Sequence, residues 1–205
     1  MTASTSYKSG MMRITLSLAC VAASLSGCAE HDDVPLLPEP EQVNIEPTRI
    51  DAGMIALAEF SAEVLVLGRR EYPSDPGDVL SGSSPLDLAV AWGPAASEQA
   101  ISAVELTQSD RRYHWRARSS DMDKPGVGDF TRHSGNWHMV PADEDVKRAL
   151  FSIVPGDRIR MEGELVLLTF PDGTYYASSL SRNDTGDGAC EIFRVASIEI
   201  IERAD

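Results

Sequence analysis

Apolar and polar residues change their period several times along this chain, and each change marks an element. From Glu59 to Arg70, EFSAEVLVLGRR is rich in Val and Leu and stops at the turn formers Tyr72-Pro73-Ser74-Asp75-Pro76-Gly77, which predicts a strand and a loop. LDLAVAW, 86 to 92, is a second short apolar run, closed by Gly93-Pro94. AVELTQ and RRYHWRAR then alternate as the two arms of a hairpin do. With Ser109-Asp110 as the two-residue turn, Leu106 faces Tyr113, Glu105 faces His114 and Val104 faces Trp115. That register gathers Val104, Leu106, Tyr113 and Trp115 on an apolar face. Glu105, Thr107, Arg112, His114, Arg116 and Arg118 share the polar one.

The period lengthens to that of a helix once. In PADEDVKRALFSI the apolar residues Val146, Ala149, Leu150 and Ile153 fall at i, i+3, i+4 and i+7, Asp143 is placed to cap, and Pro155-Gly156 ends the element. Ahead of it, HSGNWH at 133 to 138 reads as a loop, with Trp137 as an apolar anchor and Pro141 starting the helix. Behind it, GDRIRMEGELVLLTF alternates through Ile159 and Met161, allows a bend at Gly163 and turns at Pro171-Asp172-Gly173. Tyr175 to Leu180 returns as its partner, and CEIFRVASIEII is the last strand. Strands, one helix, a long bent strand, a hairpin and a final strand make a mostly β chain in the order of a small OB-like barrel. GDRIRMEGELV resembles the strand that follows the helix in OB domains. The domain also resembles bacterial envelope proteins that carry segments like NWHMVPA and SSLSRNDTGDGACE.

The N-terminus has a different make-up. Lys8 and Arg13 are the only charges before Cys28, and ITLSLACVAASLSG between them and that cysteine is apolar or small. A run of about 14 such residues is too short to span a bilayer and has the composition of a signal-peptide core. It ends in Leu25-Ser26-Gly27-Cys28, which resembles the lipobox of bacterial lipoproteins. The resemblance implies cleavage before Cys28, acylation of that residue and attachment to a membrane by several chains. Ala29 stands where an aspartate retains such proteins at the inner membrane, so the expected location is the periplasmic side of the outer membrane. Tandem Met11-Met12 also leaves the start codon open between Met1, Met11 and Met12. Residues 28–48 carry four prolines, many charges and no amphipathic period, which predicts an extended tether, with the folded domain over 49–205.

Charge and cysteines narrow the partners. The chain carries a formal −14, and removal of residues 1–27 takes Lys8 and Arg13 with it, leaving −16. Such a surface repels phosphate backbones, which excludes nucleic acid as the partner of the whole surface. Of three cysteines, Cys20 leaves with the signal and Cys28 is lipidated, so Cys190 is alone and no internal disulfide is expected.

Three groups of residues invite chemistry. His133 and His138 are two of the four histidines, but zinc needs three or four converging ligands, so Asp129 or Asp143 would have to join them. The letters S-G-N-x-H match the SGNH hydrolases only in name, because there the four residues come from separated blocks. Ser134 lacks the strand-turn-helix setting of a nucleophile elbow. NDTGDG, 183 to 188, recreates the start of a calcium loop, yet in EF-hand spacing the twelfth position is Arg194 where a bidentate Glu is required. The third group is the row Arg112, His114, Arg116 and Arg118, which stands out in an acidic chain and suits a carboxylate- or phosphate-bearing ligand; pairing with Glu105 and other local carboxylates is the simpler use of the same charges. Together these readings predict a lipid-anchored, non-catalytic binding module without cofactors, its partner an envelope protein or an anionic ligand. The alternatives are a metal-dependent protein or hydrolase built on His133 and His138, and a purely structural lipoprotein.

Overall fold

The computed structural model describes residues 36–181 and 190–204. The signal segment 1–27, Cys28, the first part of the expected tether and the NDTGDG loop lie outside the described residues. The strands are β1 (Glu41–Arg49), β2 (Met54–Glu71), β3 (Leu86–Ala91), β4 (Val104–Ser109), β5 (Arg112–Ala117), β6 (Ser134–Pro141), β7 (Arg158–Thr169), β8 (Tyr175–Ala177) and β9 (Ile192–Glu202). Helix α1 (Glu98–Ala103) precedes β4 and helix α2 (Glu144–Phe151) separates β6 from β7.

Five of the strands close a ring. β2 pairs antiparallel with β3 and with β7, β3 with β6, and β7 with β9, while β6 and β9 run parallel and complete the circuit. In chain order the ring strands are first, second, third, fifth and fourth, with α2 between third and fourth. This is the small OB-like barrel expected from the sequence. No described helix is long and apolar enough to cross a membrane.

Closing so few strands requires sharp bends, and the sequence provides them. Along β2, Ala58, Phe60, Ala62, Val64 and Val66 point inward, and the register shifts at Ala56/Ala58 and at Val66/Gly68 bend one long strand so that it serves both sides of the ring. Gly163 marks a further bulge, where β7 slips against β9. A Cβ there would lie 2.0 Å from the Arg194 carbonyl oxygen, so only glycine allows the two backbones to approach. The interior is built around Trp137, which no water reaches. Phe60 and Phe193 meet it edge-on with centroids at 5.3 and 6.0 Å, and Trp92 stacks at 5.9 Å. α2 covers one end of the barrel with Val146 and Leu150, and Ile153 follows them in. Asp143 caps it as expected, its Oδ1 accepting from the N–H of Asp145 and Val146 at 2.9 Å each.

Two expectations are corrected. The tether does not extend to residue 48: Glu41–Arg49 is an edge strand paired with β2, although most of its side chains are exposed. Its order comes from backbone pairing, which leaves no hydrophobic period to read. Earlier still, Leu37 packs on the core and Glu39 Oε2 accepts from Trp92 Nε1 at 2.8 Å. HSGNWH is likewise not a loop. From Ser134 onward it is β6, with Trp137 and Met139 turned into the barrel and Ser134, Asn136 and His138 turned to the other side.

Gly163→Ala is expected to destabilise the domain by roughly 1–3 kcal/mol through this backbone clash. Gly82→Ala, where a Cβ would meet nothing within 4 Å, is expected to change stability by less than about 0.5 kcal/mol. Urea unfolding of both variants checks the difference.

Candidate functional site

Alternation in β3 puts one charge in an unexpected place. Leu86, Leu88 and Val90 enter the core, so Asp87 must point to the outer face of the barrel, and there it is fully buried. Opposite it in register stands His138 of β6, whose Nδ1 lies 2.9 Å from Asp87 Oδ1. Two residues along β6, Asn136 Nδ2 donates to Asp87 Oδ2 at 3.2 Å.

What buries this face is the hairpin β4–β5, a two-stranded sheet of its own. Its apolar side, Val104, Tyr113 and Trp115, packs on Ala91, Ala95 and Phe130, with the Trp115 and Phe130 centroids at 5.1 Å. The turn is Asp110-Arg111, not Ser109-Asp110. Both residues have positive φ, 51° and 63°, and the pairing is displaced by two residues from that expected: Leu106 faces Trp115, Glu105 faces Arg116 and Val104 faces Ala117. A shift of two keeps every side chain on its predicted face.

The corrected turn sends Arg111 inward. Its Nη1 donates to Asp87 Oδ1 at 3.0 Å and to the Ser84 carbonyl at 2.9 Å, while Nε and Nη2 reach Asp78 Oδ2 at 2.9 and 2.6 Å. The Arg111 Cζ sits 3.6 Å over the centre of the Tyr72 ring, and Tyr72 Oη accepts from the Arg111 backbone N–H at 3.0 Å. Gln108 Nε2 donates to Asn136 Oδ1 at 2.8 Å, and Asn136 Nδ2 also donates to the Arg111 carbonyl at 3.2 Å. Tyr113 shares a 2.8 Å hydrogen bond with Ser134, whose hydroxyl donates to the Phe130 carbonyl. Burial first, and then the electrostatic influence of Glu191 and Cys190, raise the Tyr113 phenol above its ordinary value against the hydrogen bond shared with Ser134.

His138 is the titrating centre of this network. Burial alone would push its imidazole down, but Asp87 and the Cys190 sulfur, which also hydrogen-bonds the ring, outweigh burial and raise it to about 9. It is an imidazolium at neutral pH. None of this was marked by spacing in the sequence, since Asp87, Arg111, His138 and Cys190 meet only across the fold. The available signal was a lone aspartate inside the apolar run LDLAVAW.

The two histidines proposed as ligands have different partners. His133 Nε2 lies 3.0 Å from Glu39 Oε1 and its Nδ1 3.1 Å from the Asp129 carbonyl, whereas His138 is committed to Asp87 and Cys190. Among the described residues, no group of three or more His, Cys, Asp or Glu side chains is placed to hold a metal ion.

The arginine row lies on the outer side of the hairpin. Arg112, His114 and Arg116 are exposed on β5 and Arg118 just beyond it. Arg116 Nε is 2.7 Å from Glu105 Oε2 across the hairpin, the pairing expected of these charges. At the foot of the row is an open cleft of about 430 Å³, lined in part by Glu105, Arg116, Arg118, Asp121 and Lys124. Lys124 pairs with Asp121 at 3.0 Å, and the cleft keeps one cation more than its carboxylates. Comparison with protein-family models, with curated proteins and with solved structures finds no match.

The His138 shift fixes a sign for stability against pH. Its folded value lies above the unfolded 6.5, so its contribution is complete below pH 6.5 and is lost as pH rises through about 9. The wild type is expected to lose on the order of 3 kcal/mol across that window relative to His138→Gln, whose profile stays flatter. Urea titrations at pH 6 and pH 9.5 test this.

Proposed function

We propose that this chain is a lipid-anchored envelope protein, tied to the outer membrane through Cys28 and facing the periplasm, whose barrel is a non-catalytic binding module for an anionic group. The supporting observation is the hairpin β4–β5. It spends its apolar side and its Arg111 turn on docking to the barrel, and its other side carries Arg112, His114, Arg116 and Arg118 outward above a cleft of net positive lining. In a chain of formal charge −14, that local excess attracts a carboxylate or phosphate group against the general field. OB-type barrels bind ligands on the face of their second and third strands. Here that face is β3 and β6, and the hairpin covers it, so the hairpin is the surface a partner meets.

The anchor is read from the lipobox-like Leu25-Ser26-Gly27-Cys28. Metabolic labelling with tritiated palmitate is expected to mark the full chain and to leave Cys28→Ser unlabelled; equal labelling of both sinks the anchor.

For the binding face, the full chain is titrated calorimetrically with a tetra-aspartate peptide at low ionic strength. Binding is expected, weakened by salt, and weakened at least about tenfold, or about 1.4 kcal/mol, in the double variant Arg116→Glu, Arg118→Glu. Equal binding by wild type and variant, or no binding by either, rejects the arginine row as the recognition surface.

A further inference from the structure

Two cavities meet at the junction of α1 and β4. The basic cleft at the foot of the arginine row has Ser102, Ala103 and Val104 in its lining, and a second groove of about 560 Å³ shares Ser102 and Val104 with it. The groove is apolar where the cleft is charged: Leu67, Ile101, Val104, Leu106, Phe130 and Pro155 line it. Its volume falls in the range of about 300–1,000 Å³ that small-molecule sites occupy. Its walls are held by the fold itself. Ala100 of α1 is fully buried, with its N–H donating to Ser97 Oγ at 3.3 Å, and the Gly156 N–H donates to the Val66 carbonyl at 2.7 Å, tying the turn at 155–156 to β2. Ile101 nevertheless stays 36 % exposed, so an apolar ligand has surface left to cover.

We propose that cleft and groove form one site for a monomeric, single-chain carboxylate amphiphile of the fatty-acid type, its head in the cleft and its chain in the groove. This rests on the reading of the cleft as an anion site and names the class of ligand. Charge selects the head. Arg116 is paired with Glu105 at 2.6 Å and Lys124 with Asp121 at 3.0 Å, while Arg118 is exposed and makes no ion pair among the described residues. One uncompensated guanidinium matches one carboxylate, whose two oxygens can take a bidentate contact from it. A phosphate dianion would bring one negative charge too many to the same cleft.

A second charge fixes the direction of the ligand. Glu98 lines the groove and lies on the same face of α1 as Ser102, about 6 Å back along the helix. A carboxylate head placed beside Glu98 would meet a like charge. The opposite orientation, with the head toward Arg118 and the chain passing Ser102 into the groove, avoids that repulsion and satisfies the free cation. The passage between the cavities is low, because Ser102 and Ala103 carry small side chains.

The full chain is titrated calorimetrically with octanoate, decanoate and dodecanoate, each below its micelle concentration. A methylene taken fully out of water is worth about fourfold in affinity, and association costs take back part of it, so a rise of at least about tenfold from octanoate to dodecanoate is expected. Dodecyltrimethylammonium, with the same chain and the opposite head charge, is expected to bind at least about tenfold more weakly than dodecanoate. Arg118→Glu should weaken all three carboxylates about tenfold and keep their ratio, whereas Ile101→Glu should remove most of the dependence on chain length. Both positions are exposed, and circular dichroism reports whether the variants fold. No binding of dodecanoate, equal binding of octanoate and dodecanoate, an unchanged ratio in folded Ile101→Glu, or unchanged affinities in Arg118→Glu each overturn the proposal. Tetra-aspartate carries no alkyl chain: if it binds while dodecanoate gains nothing over octanoate, the anion-binding surface stands and the amphiphile site falls. Where Ile101→Glu does not fold, dodecanoate with a terminal diazirine is crosslinked to the wild type and mapped by mass spectrometry. Labels on the groove residues then support the site, and labels only elsewhere overturn it.

Discussion

A carboxylate without access to water organises one side of this barrel. Asp87 is fully buried on the outer face of the β3–β6 pair, and an unpaired charge in that position would cost several kcal/mol. It is satisfied only when two other pieces of chain are in place: the neighbouring strand with His138 and Asn136, and the hairpin turn with Arg111. Arg111 in turn holds Asp78 and the Ser84 carbonyl, and so draws in the loop between β2 and β3. The hairpin is thus held to the barrel twice, by an apolar side that excludes water and by a buried ionic tip that accepts one placement.

The same arrangement explains an unusual turn. Two consecutive residues with positive φ favour Asn-Gly or Asp-Gly, yet here the second is an arginine. Arg111 occupies that conformation because the guanidinium, once inside, meets two carboxylates, a carbonyl and an aromatic face. Local backbone preference is overridden by a tertiary contact, which is why a turn chosen from local chemistry alone falls one residue early and displaces the pairing by two.

Legibility followed the same boundary between local and long-range causes. The helix, its Asp143 cap, the bend at Gly163 and the sequence of strands around the ring were readable because period and turn chemistry are local. So was the division of the hairpin into an apolar and a basic face, which survived the error in register. β1 was not readable, since an edge strand with exposed side chains is ordered through its backbone and shows no alternation. HSGNWH misled for another reason. Both faces of β6 are buried, one by the barrel and one by the hairpin, so its polar residues look like loop residues until the hairpin is known to cover them. The Asp87–His138 pair was hidden altogether, because 51 residues separate the aspartate from the histidine and no spacing rule joins them.

The early docking of the chain has a consequence for reach. Leu37 already packs on the core and its carbonyl accepts from the Gly93 N–H at 3.0 Å, so the polypeptide is fixed to the barrel well before β1 begins. An extended chain covers at most about 3.6 Å per residue, and with a lipid on Cys28 the stretch to Leu37 spans no more than roughly 30 Å. With that anchor in place, the barrel would stay within this distance of the bilayer that holds it, and a partner on a more distant surface would be out of reach.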